Sequence, residues 1–475
     1  MASNYPLPSK ASLVQQYVGK TLKEIPLPAA VIDIAAVKRN CQRMSDAVKE
    51  LGFDFMLLVN AHKTTEIARL QIGDDPEEVR VLVTTLSEAE NMLPLLLDYQ
   101  KDGKQVNLLY GVPLPPSQIE QIANISRILG RRGGSVRLLV EHTSQIPLVQ
   151  QIARLSGYPI YVYINVTVGG EYSGEVSGVR PGSQEFQDLF SQIERIILLE
   201  GPISLAFPGF YCHLDHGLDI FEPSHDFDAP RSIRPFSTQL SGLLTASPVQ
   251  NIRFSINATT AISHLSDILS NESEDEQMRE RVEALRGTLE AVSVSQADNF
   301  IEVRDSIYPI TDLNTLAKKA VLGLDRAPGQ DLDDVALTIL TEVCCVYEGR
   351  REGDVLPEEQ EGALIALGSC TLGQEPSRHY NGYGLVSQWG MHHEMRGLLD
   401  SFSGFQVARV DLQCGVLVWD GPVDLIQPLH LGQRLRVYPN DAAEASESFG
   451  WYFVVDSSRL GREDEIVDIF VRWRS

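Results

Sequence analysis

Eight short apolar runs rich in β-branched residues, alternating with longer stretches of helical period, fill residues 55 to 303, and this alternation constrains the fold more than any other feature. The runs are Phe55 to Asn60, Arg80 to Thr85, Val106 to Tyr110, Val136 to Glu141, Ile160 to Val166, Ile203 to Tyr211, Ile252 to Asn257 and Phe300 to Val303. Helical segments between them include Ser87 to Tyr99, Ser117 to Leu129, Ser144 to Leu155, Ser183 to Leu199 and Glu276 to Val292. Several open with a serine, as a helix N-cap prefers. Strands linked through helices pair in parallel, and eight such units predict a closed, TIM-like (β/α)8 barrel.

After Tyr308-Pro309 the texture changes to shorter alternating stretches: Ala363 to Cys370, Gly382 to Gln388, Gly404 to Leu412, Val416 to Trp419, Arg434 to Tyr438, Trp451 to Asp456 and Ile466 to Trp473. These predict a C-terminal β-rich domain. The chain divides on this reading into a barrel domain, 25–305, and a β domain, 306–475, joined by the N-terminal segment 1–24. The loop from His225 to Phe236 and the acidic segment from Ser266 to Glu276 read as surface insertions.

The 475 residues, 43% hydrophobic and 22% charged, suffice for a large core in two domains. A net charge of -24 without any basic run argues against nucleic acid and against an anionic membrane surface as partners. The cysteines Cys41, Cys212, Cys344, Cys345, Cys370 and Cys414 show no C-x-x-C spacing, and the first residues lack an apolar signal region. The expected compartment is therefore reducing and cytoplasmic.

In a (β/α)8 barrel the chemistry sits at the C-terminal ends of the strands. Those ends carry Asn60 and His62, Thr84 and Thr85, Tyr110, Glu141 and His142, Asn165 and Thr167, Tyr211 and His213, Asn257 and Thr259, and Arg304. The ring is polar and mostly neutral, with no lysine at any strand end. Lys63 lies in the loop beyond the first strand.

The segment FMLLVNAHKTTEIARLQIG, Phe55 to Gly73, resembles the first barrel strand of the D-serine dehydratase and D-threonine aldolase family, fold-type III pyridoxal phosphate (PLP) enzymes related to alanine racemase. Further similar blocks are Val83 to Glu90, Asn107 to Ile119 (NLLYGVPLPPSQI), Val140 to Ile146, Gly209 to Gly217 (GFYCHLDHG), Tyr308-Pro309 with Asp312, Asp334 to Leu340, and Arg434 to Asn440. The resemblance implies an alanine racemase-type barrel, a β domain over its mouth, a small-molecule substrate and a homodimer.

It also implies a site that this sequence has altered. The family pattern reads roughly R-x-H-V-K-T-H-K-T, and its Schiff-base lysine falls on Asn60, while the second, non-bonding lysine falls on Lys63. An amide nitrogen forms no imine. The arginine facing the cofactor's pyridine nitrogen falls on Tyr172. The phosphate-cradling segments become His213 to Leu218 and Asn257-Ala258-Thr259, with Asp215 adding a negative charge, and Tyr308 is kept. The metal pair of P-N-H-x-C falls on Asp441 and Ala443, and the family's Glu-His-Gly becomes Gln413-Cys414-Gly415. These changes argue against PLP held as a covalent aldimine and against bound zinc or manganese.

Three readings follow. In the first, the chain is a repurposed enzyme of isomerase, cyclase or lyase type, recruited into specialised metabolism. Its acid and base groups are His62, Tyr211, His213, Asp215 and His216, a neighbouring aspartate being able to orient a histidine and raise its pKa. In the second, Lys63 replaces the missing lysine, and the chain is a PLP-dependent lyase or racemase on a D- or β-hydroxy amino acid. In the third, it is a non-catalytic protein binding a metabolite or an active paralogue. Other suggestive residues have plainer explanations: Cys414 as a small buried residue, Asp441 with Glu444 as solvated surface, Arg304 as an ion-pair partner of Asp305 or Glu302, and Gly169-Gly170 as a turn. His392 and His393, before Glu394, point to opposite faces if extended.

Overall fold

A computed structural model describes the chain except residues 1–6, 74–75, 168–176, 202–203, 213–252, 258–299, 322–331, 348–361, 378–379, 381, 389–403, 423–425, 427 and 475. It divides into two compact units. One comprises Met1–Arg43, Ala61–Leu70 and Ile307–Arg474, the other Met44–Asn60 and Gln71–Ser306.

The first strand, β1 (Ala29–Asp33), belongs to the first of these units. The next eight are β2 (Asp54–Leu58), β3 (Glu78–Val83), β4 (Gln105–Tyr110), β5 (Ser135–Val140), β6 (Ile160–Val166), β7 (Leu205–Cys212), β8 (Arg253–Asn257) and β9 (Phe300–Asp305). All eight runs read from the sequence are strands. They pair in parallel in sequence order, and β9 pairs back onto β2, closing the barrel. Four of the expected helices are present, at Leu86–Lys101, Ile119–Gly130, Ile146–Ser156 and Gln184–Glu200. The fifth, Glu276 to Val292, lies outside the described residues, as do the proposed insertions around 225–236 and 266–276.

Caps explain where these helices begin. The Ser183 hydroxyl accepts the Phe186 N–H, as its position predicts. The helix at Leu86 starts one residue after Thr85, whose side chain accepts the Glu88 N–H, while the Glu88 carboxylate accepts the Thr84 N–H at 2.7 Å. This reciprocal box outcompetes Ser87 as the cap. Gly209 within β7 has φ +152, and a Cβ there would overlap the Arg253 carbonyl oxygen of β8. Only glycine allows the two strands to approach this closely.

The other unit is built on a mostly antiparallel sheet of β10 (Leu337–Tyr347), β11 (Gly362–Ile365), β12 (Gly384–Gln388), β13 (Gly404–Val410), β14 (Gly415–Asp420), β15 (Arg434–Pro439), β16 (Trp451–Val455) and β17 (Asp468–Val471) together with β1. The 11-residue β10 shares one edge between two partners, β1 along Leu337 to Leu340 and β11 along Val343 to Tyr347, the latter with a register shift between Val343 and Cys345. Pairing of β11 with both β10 and β14 closes six of the strands into a ring. This corrects the sequence-based boundary. The sequence places residues 25–43 with the barrel, yet β1 pairs antiparallel with β10 and parallel with β16, so that stretch belongs to the β-rich unit. No helix among the described residues is long and apolar enough to cross a membrane.

Candidate active site

Side chains two residues apart on a strand share a face, so each barrel strand sends every second residue inward. The inward sets stack in layers. At the N-terminal floor, Asp54, Glu78 and Glu302 meet Arg80, Arg137 and Arg253: Arg80 pairs with Asp54 at 2.7 Å and with Glu78, Arg137 with Glu78 at 3.3 Å, and Arg253 with Asp54 at 3.1 Å. Three carboxylates and three guanidiniums balance, as burial of charge requires. Above them lies an apolar layer of Met56, Leu82, Leu109, Leu139, Tyr163 and Tyr211 with Leu58 packed against it. Burial and the charge of Glu302 push the Tyr163 phenol well above its ordinary range. The layer seals the floor from the mouth.

The mouth carries the next residues of the same parity. Asn60 continues the set Met56, Leu58, and its Oδ1 is buried with no hydrogen-bond partner. Asn165, above Tyr163, donates from Nδ2 to Glu141 Oε1 at 2.6 Å and to Ser177 Oγ at 3.4 Å, and its own Oδ1 is buried without a partner. The Arg304 guanidinium lies 3.4 Å over the Tyr211 ring and donates to the Ser255 carbonyl at 2.8 Å and to its hydroxyl at 3.1 Å. That arrangement orients the phenol at the end of β7. Tyr110 donates to Gln118 at 2.8 Å, and burial raises its pKa. The backbone N–H groups of Glu141 and His142 are both taken by Gln145 Oε1, at 2.7 and 3.0 Å.

His62 and Lys63 belong to the β-rich unit. Three successive carbonyls there are bonded: Ala61 by the Ser446 hydroxyl at 3.1 Å, His62 by the Tyr452 hydroxyl at 3.0 Å and Lys63 by the Trp473 N–H at 2.8 Å. Lys63 adopts left-handed backbone with φ +50, and these bonds hold it there. Its Nζ sits 2.7 Å from Glu447 Oε1, and fully buried Arg472 contacts the same carboxylate at 2.5 and 3.1 Å. Burial alone would raise the Glu447 pKa, but the Arg472 and Lys63 contacts outweigh it and hold the carboxyl below its usual range. The His62 ring is buried and turned into its own loop, with Nδ1 accepting the Thr64 N–H at 3.1 Å.

Around the former metal positions, Asp441 caps the helix Ala442–Ser446 by accepting the Glu444 N–H at 2.7 Å, and Ala443 offers no donor atom. Asp312 is fully buried and accepts the N–H groups of Thr315 at 2.8 Å and Ala442 at 3.1 Å. Burial, with Asp441 adding to it, pushes its carboxyl up to about 6. Tyr308 is buried beside Cys41, whose thiol burial pushes up to about 12. Among the described residues no group of three His, Cys, Asp or Glu side chains could hold a metal ion.

The structure thus brings Asn60, Tyr211 and Arg304 to the barrel unit and places His62, Lys63, Tyr308, Asp441 and Ala443 in the other. His213, Asp215, His216, Tyr172 and Thr259 lie outside the described residues, as does the side chain of Asn257. Sequence reasoning missed Glu447 and Arg472, because both become relevant only through partners remote in sequence. It also missed the floor of charges, although the parity of Asp54, Arg80, Arg137, Arg253 and Glu302 along their strands was a readable signal. The residues present do not suit PLP as the resemblance describes it. Asn60 cannot form an imine, and the Lys63 amine is engaged with a carboxylate on a constrained turn.

Residues 336–455 match the model of a "putative serine dehydratase domain". Over 98% of this chain and 96% of the relative, the sequence is 26% identical to a D-serine dehydratase of Schizosaccharomyces pombe. The chain is similar to D-serine dehydratases over nearly its whole length. Solved structures share its fold: D-threo-3-hydroxyaspartate dehydratase from Delftia sp. HT23 superposes with a TM-score of 0.59 at 21% identity over 96% of this chain and 99% of that one. D-threonine aldolase from Filomicrobium marinum gives 0.60 at 16% identity over 96% and 97%. The similarity expected from the sequence blocks and the barrel fold are both found.

Proposed function

We propose that this D-serine dehydratase-like chain does not perform its family's Schiff-base step, and that its barrel mouth carries out acid/base chemistry on a small molecule, of isomerase, cyclase or lyase type. The observation that carries the reading is the fate of the two lysine positions. One holds a carboxamide with a buried, unbonded oxygen, and the other an amine paired with Glu447. An amine held against a carboxylate is a poor nucleophile toward a carbonyl.

Proton transfer needs an acid or base within reach of the substrate and a rigid frame for it. Glu141, bonded by Asn165, and the Tyr211 phenol, held under Arg304, supply such groups at the mouth. The sequence that follows β7 adds His213, Asp215 and His216. His62 takes no part in this reading, its ring being buried with Nδ1 bonded to Thr64.

The names of the relatives favour a second reading, a PLP-dependent lyase on a D-amino acid, in which Lys63 forms the imine. One experiment separates the two. Purified protein is mixed with excess PLP, its visible spectrum recorded for an aldimine band, and any adduct fixed with borohydride and located by peptide mass. No band and no adduct is the expected result, with the Asn60→Lys variant gaining both. An adduct on Lys63 would overturn the proposal and establish the second reading.

A further inference from the structure

We infer that the barrel mouth binds a small amine as its ammonium ion, held by side-chain carbonyl and carboxylate oxygens; this names a ligand class for the mouth and rests on the proposed function. The mouth has a surplus of acceptors. Asn165 is 4% exposed, and its Oδ1 has no partner while its Nδ2 is spent on Glu141 and Ser177. The carboxylate fixes that orientation, because turning the amide over would set its carbonyl oxygen against Glu141. Asn60, on the opposite wall in the strand order, likewise buries an unbonded Oδ1. Buried acceptors without partners lower stability, so two of them at one end of a barrel call for a ligand that brings donors.

Most of the donors at the described strand ends are already used. Thr84 N–H goes to Glu88, Glu141 and His142 N–H to Gln145, the Tyr110 hydroxyl to Gln118, and the Arg304 guanidinium to Ser255 and the Tyr211 face. An anion would need spare backbone donors there. An ammonium offers three donors and no acceptor, and its charge offsets that of Glu141. Arg304 is the opposing charge at the mouth, but it pairs in register with Met56, four residues before Asn60, and its guanidinium is spent on Ser255 and the Tyr211 ring. Acceptors on opposite walls suit a ligand with donors at both ends.

The test uses the full chain and three probes of equal carbon length: propane-1,3-diamine, propane-1,3-diol and malonate, followed by calorimetry and thermal shift. The diamine is expected to bind and raise the melting temperature, with the diol weaker by about tenfold, the worth of charge in one hydrogen bond. Malonate is expected to have no effect. Asn60→Leu and Asn165→Leu are each expected to weaken the diamine by about tenfold. Free Asn60→Leu protein is expected to melt no lower than the parent, because the buried oxygen it removes has no partner to lose; Asn60→Ser serves if the leucine variant does not fold. An equal response to diol and diamine, tighter binding of malonate, no response to the diamine, or variants that bind it undiminished would each overturn the inference. Failure of the diamine with no PLP adduct would leave the proposed function standing, whereas an adduct on Lys63 would remove the reading beneath it.

Discussion

Replacing Lys63 and Glu447 singly and together distinguishes a structural lysine from a reactive one. At 2.7 Å the pair would be worth about 6 kcal/mol at an effective dielectric of about 20. The Glu447 side chain is 52% exposed, however, and solvent screening reduces the net value to about 1 kcal/mol. Lys63→Met should therefore lose about 1 kcal/mol, since Arg472 still neutralises the carboxylate. Glu447→Gln should lose more, about 2 kcal/mol, because it leaves two cations without their anion and Arg472 is fully buried. The double variant should match Glu447→Gln, so that the coupling is about 1 kcal/mol in a urea-denaturation cycle at neutral pH. A carboxyl held below its usual pKa contributes stability above the unfolded value and loses it as pH falls through the folded one. The coupling should accordingly vanish in acid. Full stability in Lys63→Met with zero coupling at neutral pH would refute the structural assignment and free Lys63 for chemistry.

Two other outcomes follow from the geometry. Asp312, with its carboxyl raised to about 6, is easier to protonate folded than unfolded, so stability relative to Asp312→Asn should grow by about 2 kcal/mol as pH falls from 7 to about 4.5; a flat or opposite trend in denaturation midpoints would show that the carboxyl is not so buried. Gly209→Ala should cost about 3 kcal/mol or more and sharply reduce soluble yield, since a methyl group meets the Arg253 carbonyl at φ +152, and a variant of parental stability would contradict the close approach of β7 and β8.

The barrel was legible in the sequence because its signal is local. Each of the runs from Phe55 to Val303 carries its own apolar stretch, the first five are each followed by a helix, and parallel neighbours are consecutive in the chain. The strand β1 was not legible, since Ala29–Asp33 is a strand only by virtue of β10 and β16, some 300 and 420 residues further on. For the same reason Asn60 could be placed at the lysine position, but nothing in the sequence showed its buried oxygen to be unbonded. Nor could it show that Lys63 pairs with Glu447 or that the His62 ring folds back on Thr64.

By itself the sequence determined the barrel strands and which chemical groups stand at their ends, because strand parity, helix caps and residue type are properties of neighbouring positions. Only the tertiary structure decided which of those groups remain available. Hydrogen bonds and ion pairs are made between segments hundreds of residues apart, and whether an amine, an imidazole or an amide oxygen can react or bind depends on whether such a distant partner has already taken it.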